Sequence, residues 1–178
     1  MIQFLAKIYI LLFIFFSGSV LYSKPLEFLD INRTIRVGLI SLKLQKTLKL
    51  KPSSGFVEIF DNSKKQAVYS GKADELKVVF VKASTMKVEI DNKKNFLNLK
   101  GELLFSAIGK PPAYMSIQAD RKKRSYRGSL AITTEGNYLR SINQVDIEDY
   151  LKSVVPSEIF NRGPAATLES QAIAARTY

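Results

Sequence analysis

The sequence of 178 residues contains no cysteine and no histidine, and both absences restrict the chemistry open to it. Without cysteine the chain can form no disulfide, no thiolate nucleophile and no lipid-modified cysteine anchor. Without histidine it can form no Ser-His-Asp or Cys-His catalytic system, and the two absences together exclude a His/Cys zinc site. Carboxylates, lysine, tyrosine, serine and threonine remain as catalytic candidates.

Acidic residues are also scarce, because 16 aspartates and glutamates stand against 27 lysines and arginines. The formal net charge is +11 and the pI is about 9.8, which indicates an acidic partner. The sequence lacks a recognition-helix pattern and begins with a predicted export signal at residues 1–23. Both features argue against nucleic acid as the partner and favour an anionic wall polymer or a membrane surface. The densest cluster, Arg121-Lys122-Lys123-Arg124, is predicted to lie in a turn, where it serves either as a solvated loop or as a polymer contact.

Residues 1–23 have the pattern of a secretory signal peptide. A single early cation, Lys7, precedes an unbroken apolar run from Ile8 to Phe16, and small residues follow up to Ser19. The run is short for a membrane span, so we expect cleavage after Ser19 or Ser23 and no stable transmembrane helix afterwards. The predicted location is therefore the periplasm or cell envelope.

Most of the chain beyond this segment predicts β-structure. Short alternating or β-branched segments are separated by polar turns such as Asp61-Asn62-Ser63-Lys64. The predicted strands cover 34–40, 56–60, 67–69, 77–81, 87–90, 96–99, 103–107, 115–119, 129–133 and 138–142, whereas 42–50 fits a strand or a helix. Strands followed by helices predict an α+β fold with a boundary near Lys110-Pro111-Pro112. Residues 24–110 would be a β-rich accessory region or the sheet that supports the helices.

The segment from Val145 to Tyr178 predicts two short helices around a carboxylate. Asp146 has the side chain of an N-cap, and Glu148 and Asp149 add negative charge to the first turn, where capping and dipole pairing are their better interpretation. Pro156 is expected to end this helix at Val155.

Ser157 and Glu158 are therefore predicted to lie in a break between the helices. Gly163 and Pro164 predict the start of the second helix. This helix reaches Tyr178 without a C-cap signal, so the domain is expected to be incomplete at its C-terminus.

These residues resemble the signature of the SpoIID/LytB family of bacterial cell-wall proteins. The resemblance is carried, without a gap, by Tyr150-Leu151, Val154-Val155-Pro156-Ser157-Glu158, Leu168 and Gln171-Ala172-Ile173-Ala174-Ala175-Arg176-Thr177-Tyr178. Tyr126-Arg127-Gly128 and Asn143 resemble the family's lead-in, so the resemblance covers roughly residues 125–178. It implies that residues 111–178 begin a SpoIID/LytB-like catalytic domain.

The family includes lytic transglycosylases, and its catalytic glutamate matches Glu158. The resemblance implies that Glu158 donates a proton to the glycosidic oxygen between MurNAc and GlcNAc and then accepts one from the muramic 6-hydroxyl, which closes a 1,6-anhydro ring. One carboxyl group then serves both steps, whereas ordinary glycosidases use two. Partial shielding of Glu158 from water by Val155, Ile159 or Phe160 would suit a proton donor.

Four further residues are predicted to bind substrate or to support the site. Arg176 is expected near the substrate, in an ion pair with Glu169, or as a clamp to the first helix. Gln171 is expected to position the Glu158 segment, because a buried amide among alanines requires a hydrogen-bond partner. Tyr178 is a candidate for stacking on a sugar ring, and Ser157 adjoins the glutamate.

The resemblance also implies a second function, because the family includes proteins described as amidase enhancers. A non-catalytic wall-binding protein that stimulates a cell-wall amidase is therefore the alternative to the enzyme. The expected partners are peptidoglycan glycan strands and, under the alternative, an amidase. No cofactor is expected within this chain, and a metal site beyond residue 178 stays open.

Overall fold

Alternation of apolar and polar residues produces strands along most of the chain, as the sequence predicts. The structure is a computed structural model that describes residues 33–40, 44–82, 84–91, 96–119, 122–159 and 164–177. The predicted signal peptide lies outside the described residues.

Twelve strands and two helices form within the described residues. They are β1 (Thr34–Gly38), β2 (Thr47–Pro52), β3 (Phe56–Asp61), β4 (Gln66–Lys72), β5 (Leu76–Lys82), β6 (Thr85–Ile90), β7 (Phe96–Lys100), β8 (Leu103–Ala107), β9 (Tyr114–Ala119), β10 (Lys122–Arg127), β11 (Ser129–Glu135), β12 (Tyr138–Asp146), α1 (Ile147–Glu158) and α2 (Ala165–Thr177). The β-rich part followed by helices is thus confirmed.

The strands form two antiparallel sheets. The first sheet has the order β1-β12-β11-β8-β3-β4, and the second has the order β10-β9-β2-β5-β6-β7. The ambiguous segment 42–50 contributes β2, in which Leu48 and Leu50 point inward while Thr47, Lys49 and Lys51 point outward. This period of two is the pattern of a strand with one buried face.

The hydrophobic core lies between the two sheets. Ile59 and Phe105 of the first sheet and Leu50, Val78 and Ile117 of the second have no exposed surface and belong to one apolar cluster. Each such side chain contributes about 1.5–3 kcal/mol through burial. The sheets therefore form a sandwich, and the helices are built on it rather than enclosed by it.

The predicted turn after β3 is confirmed, and Asp61 explains it. Its buried carboxylate accepts hydrogen bonds from the backbone N–H groups of Ser63 and Lys64, at 2.9 and 3.0 Å. Burial by itself raises the pKa of Asp61, but the two N–H groups and the Lys64 ammonium outweigh it and hold the pKa below its ordinary value.

One local prediction is wrong: the basic cluster does not form a turn. Lys122 begins strand β10, which pairs with β9 from Lys122 opposite Ala119 to Arg127 opposite Tyr114. Lysine and arginine tolerate an edge strand, because their outward side chains stay in water. Arg121 lies outside the described residues.

The expected boundary near Lys110 does not coincide with a break in either sheet. Strand β8, before it, pairs with β11, and β2 pairs with β9, after it. Contacts place residues 32–178 in a single unit. In the part of the chain that the structure describes, neither helix has the length and apolarity required to cross a membrane.

Candidate active site

Strand β12 leads directly into α1, and Asp146 makes the transition. The residue has an extended backbone, and its carboxylate accepts the backbone N–H of Glu148 at 2.8 Å. This satisfies one of the N–H groups left free at the start of a helix. The predicted N-cap is confirmed. The carboxylate also lies 3.4 Å from the Arg33 guanidinium, just before β1.

A second acidic residue of the first turn, Asp149, ties α1 to the second sheet. Its carboxylate accepts from Lys152 at 2.8 Å and from Arg127, at the end of β10, at 2.7 Å. The hydrogen bond from Lys152 is the main cause that lowers the pKa of Asp149, and the Arg127 bond adds to it against the opposing effect of burial. Asp149 therefore acts as an anchor as well as a dipole partner.

Gly128 places Arg127 in reach of α1. Its φ of +76° lies in the left-handed region, and a Cβ there would stand 2.3 Å from the carbonyl oxygen of Gln144. Only glycine fits so close to β12, where β10 leaves the second sheet and β11 enters the first. The motif Tyr126-Arg127-Gly128 thus has a structural role in positioning α1.

The helix continues past Pro156, contrary to the prediction. Leu151 and Val155 bury one side of α1, and the backbone N–H of Ile159 still donates to the Val155 carbonyl at 3.3 Å. A proline in a helix removes one hydrogen bond and strains one turn, and the packing of this turn offsets that cost. Glu158 is consequently the last residue of α1 and does not lie in a break.

The Glu158 side chain is exposed, so among the described residues it lacks the shielding from water that would suit a proton donor. Ile159 is half-buried and Phe160 lies outside the described residues. The side-chain amide of Gln171, in α2, donates a hydrogen bond to Oε2 of Glu158. Gln171 therefore contacts the carboxylate that it was predicted to position.

Helix α2 lies beside α1 and buries none of its residues. It begins at Ala165, one residue after Pro164, whose carbonyl accepts the backbone N–H of Thr167 at 3.0 Å. Near its other end, Arg176 donates to Glu148 in the first turn of α1 at 2.5 Å. Of the alternatives for Arg176, the clamp to the first helix is the contact present, rather than an ion pair with Glu169.

A groove of about 470 Å³ opens beside Glu158. Strand β1 and both helices enclose it, and its lining consists of Ile35, Val37, Ile147, Tyr150, Glu158, Gln171, Ala174, Ala175 and Arg176. The small alanine side chains leave room between the helices. Within the described residues, Glu158 is the one acidic side chain that lines this groove, and Gln171 and Arg176 supply hydrogen-bond donors.

The remaining predicted site residues lie elsewhere. The Ser157 hydroxyl donates to the backbone carbonyl of Val154 at 2.7 Å and does not line the groove. Tyr178 lies outside the described residues. Tyr150 is half-buried and lines the groove.

Sequence reasoning missed the residues that anchor the helices. Arg127, Glu148 and Asp149 were assigned to the lead-in or to dipole pairing, yet each forms a specific ion pair. The sequence signal for these ion pairs was the cluster of acidic residues in the first turn of α1, because such a cluster attracts cationic side chains from other elements. Among the described residues, no group of three or more acidic side chains is arranged to hold a metal ion.

Two comparisons with known proteins concern this part of the chain. A family model described as Stage II sporulation protein, SpoIID, matches residues 135–178, which hold all of β12 and both helices. An uncharacterized protein of Brachyspira hyodysenteriae is 42% identical over 53 residues, which cover 30% of this chain and 14% of that protein. The match over residues 135–178 supports membership of the SpoIID family of sporulation proteins for this segment.

Proposed function

We propose that the protein is an exported peptidoglycan lytic transglycosylase in which Glu158 is the general acid and base. The observation that carries the proposal is the position of Glu158. Its carboxylate ends α1, contacts the Gln171 amide and opens on a groove large enough for a sugar ring. The matched segment belongs to a family with cell-wall lytic members.

The reaction requires one carboxyl group. Protonated Glu158 gives its proton to the oxygen that links MurNAc to GlcNAc, and the bond from the anomeric carbon to that oxygen breaks. The muramic 6-hydroxyl oxygen then bonds to the anomeric carbon and gives its proton to the Glu158 carboxylate. Glu158 is restored, and no water enters the products, which suits a groove without a second acidic side chain among the described residues.

Gln171 and Arg176 have supporting roles in this proposal. Because the Gln171 amide donates to Oε2 of Glu158, the other carboxyl oxygen stays available to the substrate. Arg176 brings a positive charge to the groove edge, where it can bind a carboxylate or hydroxyl group of the glycan while it holds α2 to Glu148. Stacking of Tyr178 on a sugar stays a prediction.

Mass spectrometry of the soluble products tests the function. The purified protein is incubated with glycan strands that carry or lack stem peptides, beside its Glu158→Gln variant. We expect 1,6-anhydro-MurNAc ends from the wild type and a loss of about 10²–10⁴-fold in the variant, the range for removing a general acid. Glu169→Gln is the matched control, because Glu169 is also exposed but lies in a different cleft.

Other results would overturn the proposal. Equal product from the wild type and Glu158→Gln would remove Glu158 from the chemistry. If neither protein releases products while both stay folded and bind the wall material, the enzyme hypothesis fails for these substrates. A rise in the activity of an added amidase would then support the alternative of a wall-binding enhancer.

A further inference from the structure

The outer faces of the two sheets differ in charge. On the first sheet, three cationic and three acidic side chains point outward: Arg36, Lys72 and Arg140 against Glu58, Glu135 and Asp146. On the second sheet, the outward positions hold eight cations, namely Lys49, Lys51, Lys77, Lys82, Lys87, Lys100, Lys123 and Arg127. A single acid, Glu89, shares that face. The positive charge is therefore concentrated on one side of the sandwich.

Strand register brings these cations into rows. Lys123 stands opposite Gln118, Gln118 opposite Lys49, and Lys49 opposite Lys77, so one row crosses four strands. Neighbouring strands are about 4.8 Å apart, and like charges directly opposite one another destabilise a sheet. Nothing in the core requires the lysine at position 49, because its side chain points outward.

Nearby acids neutralise only part of this surface. Glu89 lies 2.9 Å from Lys87 and 3.5 Å from Lys77, and Glu75, next to the face, lies 3.3 Å from Lys49. Asp149 of α1 lies 2.7 Å from Arg127. The ion pairs of Lys87 and Lys77 lower the pKa of Glu89, so it stays ionised. Lys51 and Lys123 have no acidic partner among the residues that the structure describes.

The side chains between the lysines indicate the chemistry of a partner. Thr47, Gln118, Ser116 and Ser125 carry hydroxyl or amide groups, and the two serine hydroxyls bond each other at 2.8 Å. In the described part of the chain, Val81 is the one large apolar side chain of the second sheet that is strongly exposed. Among its described side chains, the face therefore lacks the apolar groups that insert into a membrane and the aromatic rows that stack nucleic-acid bases.

We propose that the outer face of the second sheet binds an extended acidic polysaccharide. The lysine ammonium groups pair with its repeated anionic groups, and the hydroxyl and amide side chains bond its sugar hydroxyls. This site is separate from the Glu158 groove and does not rest on the proposed reaction. It assigns a function to the basic charge that the sequence predicted to bind wall polymer.

Calorimetric titration with polygalacturonate tests the proposal, with dextran as the uncharged control. We expect binding to polygalacturonate but not to dextran. The affinity for polygalacturonate should fall as the salt concentration rises from 50 to 200 mM. The triple variant Lys49→Gln/Lys51→Gln/Lys123→Gln should lose affinity at least ~10-fold, since each removed contact weakens binding. The matched triple, Arg36→Gln/Lys72→Gln/Arg140→Gln, removes equal charge from the outer face of the first sheet and should change affinity less than ~2-fold.

Further binding measurements distinguish this site from the proposed catalytic activity and from binding to other kinds of partner. Glu158→Gln should bind polygalacturonate as the wild type does, whatever the outcome of the product assay. Equal losses of affinity in both triple variants would show that binding depends on net charge alone and would overturn the proposed site. Absence of binding, or tighter binding to phosphatidylglycerol vesicles or duplex DNA through the same lysines, would overturn it as well. The pair Lys51→Gln/Lys123→Gln replaces the triple if circular dichroism shows that the triple is unfolded.

Discussion

The two helices around Glu158 are attached to the sandwich in different ways. Helix α1 continues from β12 and buries Leu151 and Val155, which are 6% and 8% exposed. Helix α2 buries none of its residues, and its Ile173 is 62% exposed. Apolar packing therefore holds α1, whereas polar contacts to α1 hold α2 within the described residues.

Because the two helices are held differently, the position of the Glu158 carboxylate depends on α1, whereas the shape of the groove around it depends on α2. Packing and the Asp149 ion pairs fix where α1 ends, and so where Glu158 lies. The Gln171 and Arg176 contacts, which shape the groove, join exposed side chains. Exposed ion pairs typically stabilise by only about 0–1 kcal/mol, so the groove should rearrange far more easily than the fold unfolds.

The largest expected effect follows from truncating a buried residue of α1. Leu151→Ala should lower the free energy of unfolding by about 2–5 kcal/mol, because it leaves a cavity under the helix. Ile173→Ala on α2 is the matched control and should change it by less than about 0.5 kcal/mol. Urea unfolding monitored by circular dichroism measures both. Similar losses in the two variants would show that α2 is packed as firmly as α1.

A smaller, pH-dependent effect is expected at Asp149. Its pKa is lower in the folded protein, so its contribution to stability is present above the unfolded pKa of about 3.9 and is lost as pH falls through the folded pKa. Asp149→Asn should therefore be less stable than the wild type at pH 7, and the difference in stability should disappear as pH falls through the folded pKa.

Thermal unfolding between pH 2 and pH 7 measures this difference. Glu169→Gln on α2 controls for the loss of one negative charge. A constant difference between wild type and Asp149→Asn across this range would contradict the role of the ionised carboxylate.

The sequence predicted most of the strands, because alternation directly encodes a strand with one buried face. Segment 42–50, which contains β2, stays ambiguous in the sequence because its apolar positions, 42, 44, 48 and 50, fit a helix as well as a strand with one interruption. Strand β10 was missed because its cationic residues have the composition of a turn, and pairing with β9 decides otherwise. Which strands share a sheet depends on contacts distant in sequence, so it could not be predicted from local pattern.

At the candidate site, local rules predicted the Asp146 cap but failed at Pro156. The restriction on the residue before proline is a local preference, and burial of Val155 overrides it. The Gln171 contact to Glu158 agreed with expectation because helical spacing places the amide on one face of α2. The Arg127 and Arg176 pairs join separate elements, and only the folded chain brings their partners together.

The smallest expected effect on stability, and the sharpest test of the comparison, lies at Glu148 and Arg176. In a double-mutant cycle with Glu148→Gln and Arg176→Gln, the coupling energy should be about 0.2–1 kcal/mol and should fall with added salt, since both side chains are well exposed. Glu148 does not line the Glu158 groove. If α2 nevertheless controls the groove, Glu148→Gln should slow the release of anhydro products although it changes the free energy of unfolding little. If Glu148→Gln leaves product release unchanged, the Gln171 contact alone holds α2. A coupling energy above about 2 kcal/mol would show that the Glu148–Arg176 pair anchors α2 about as firmly as apolar packing anchors α1.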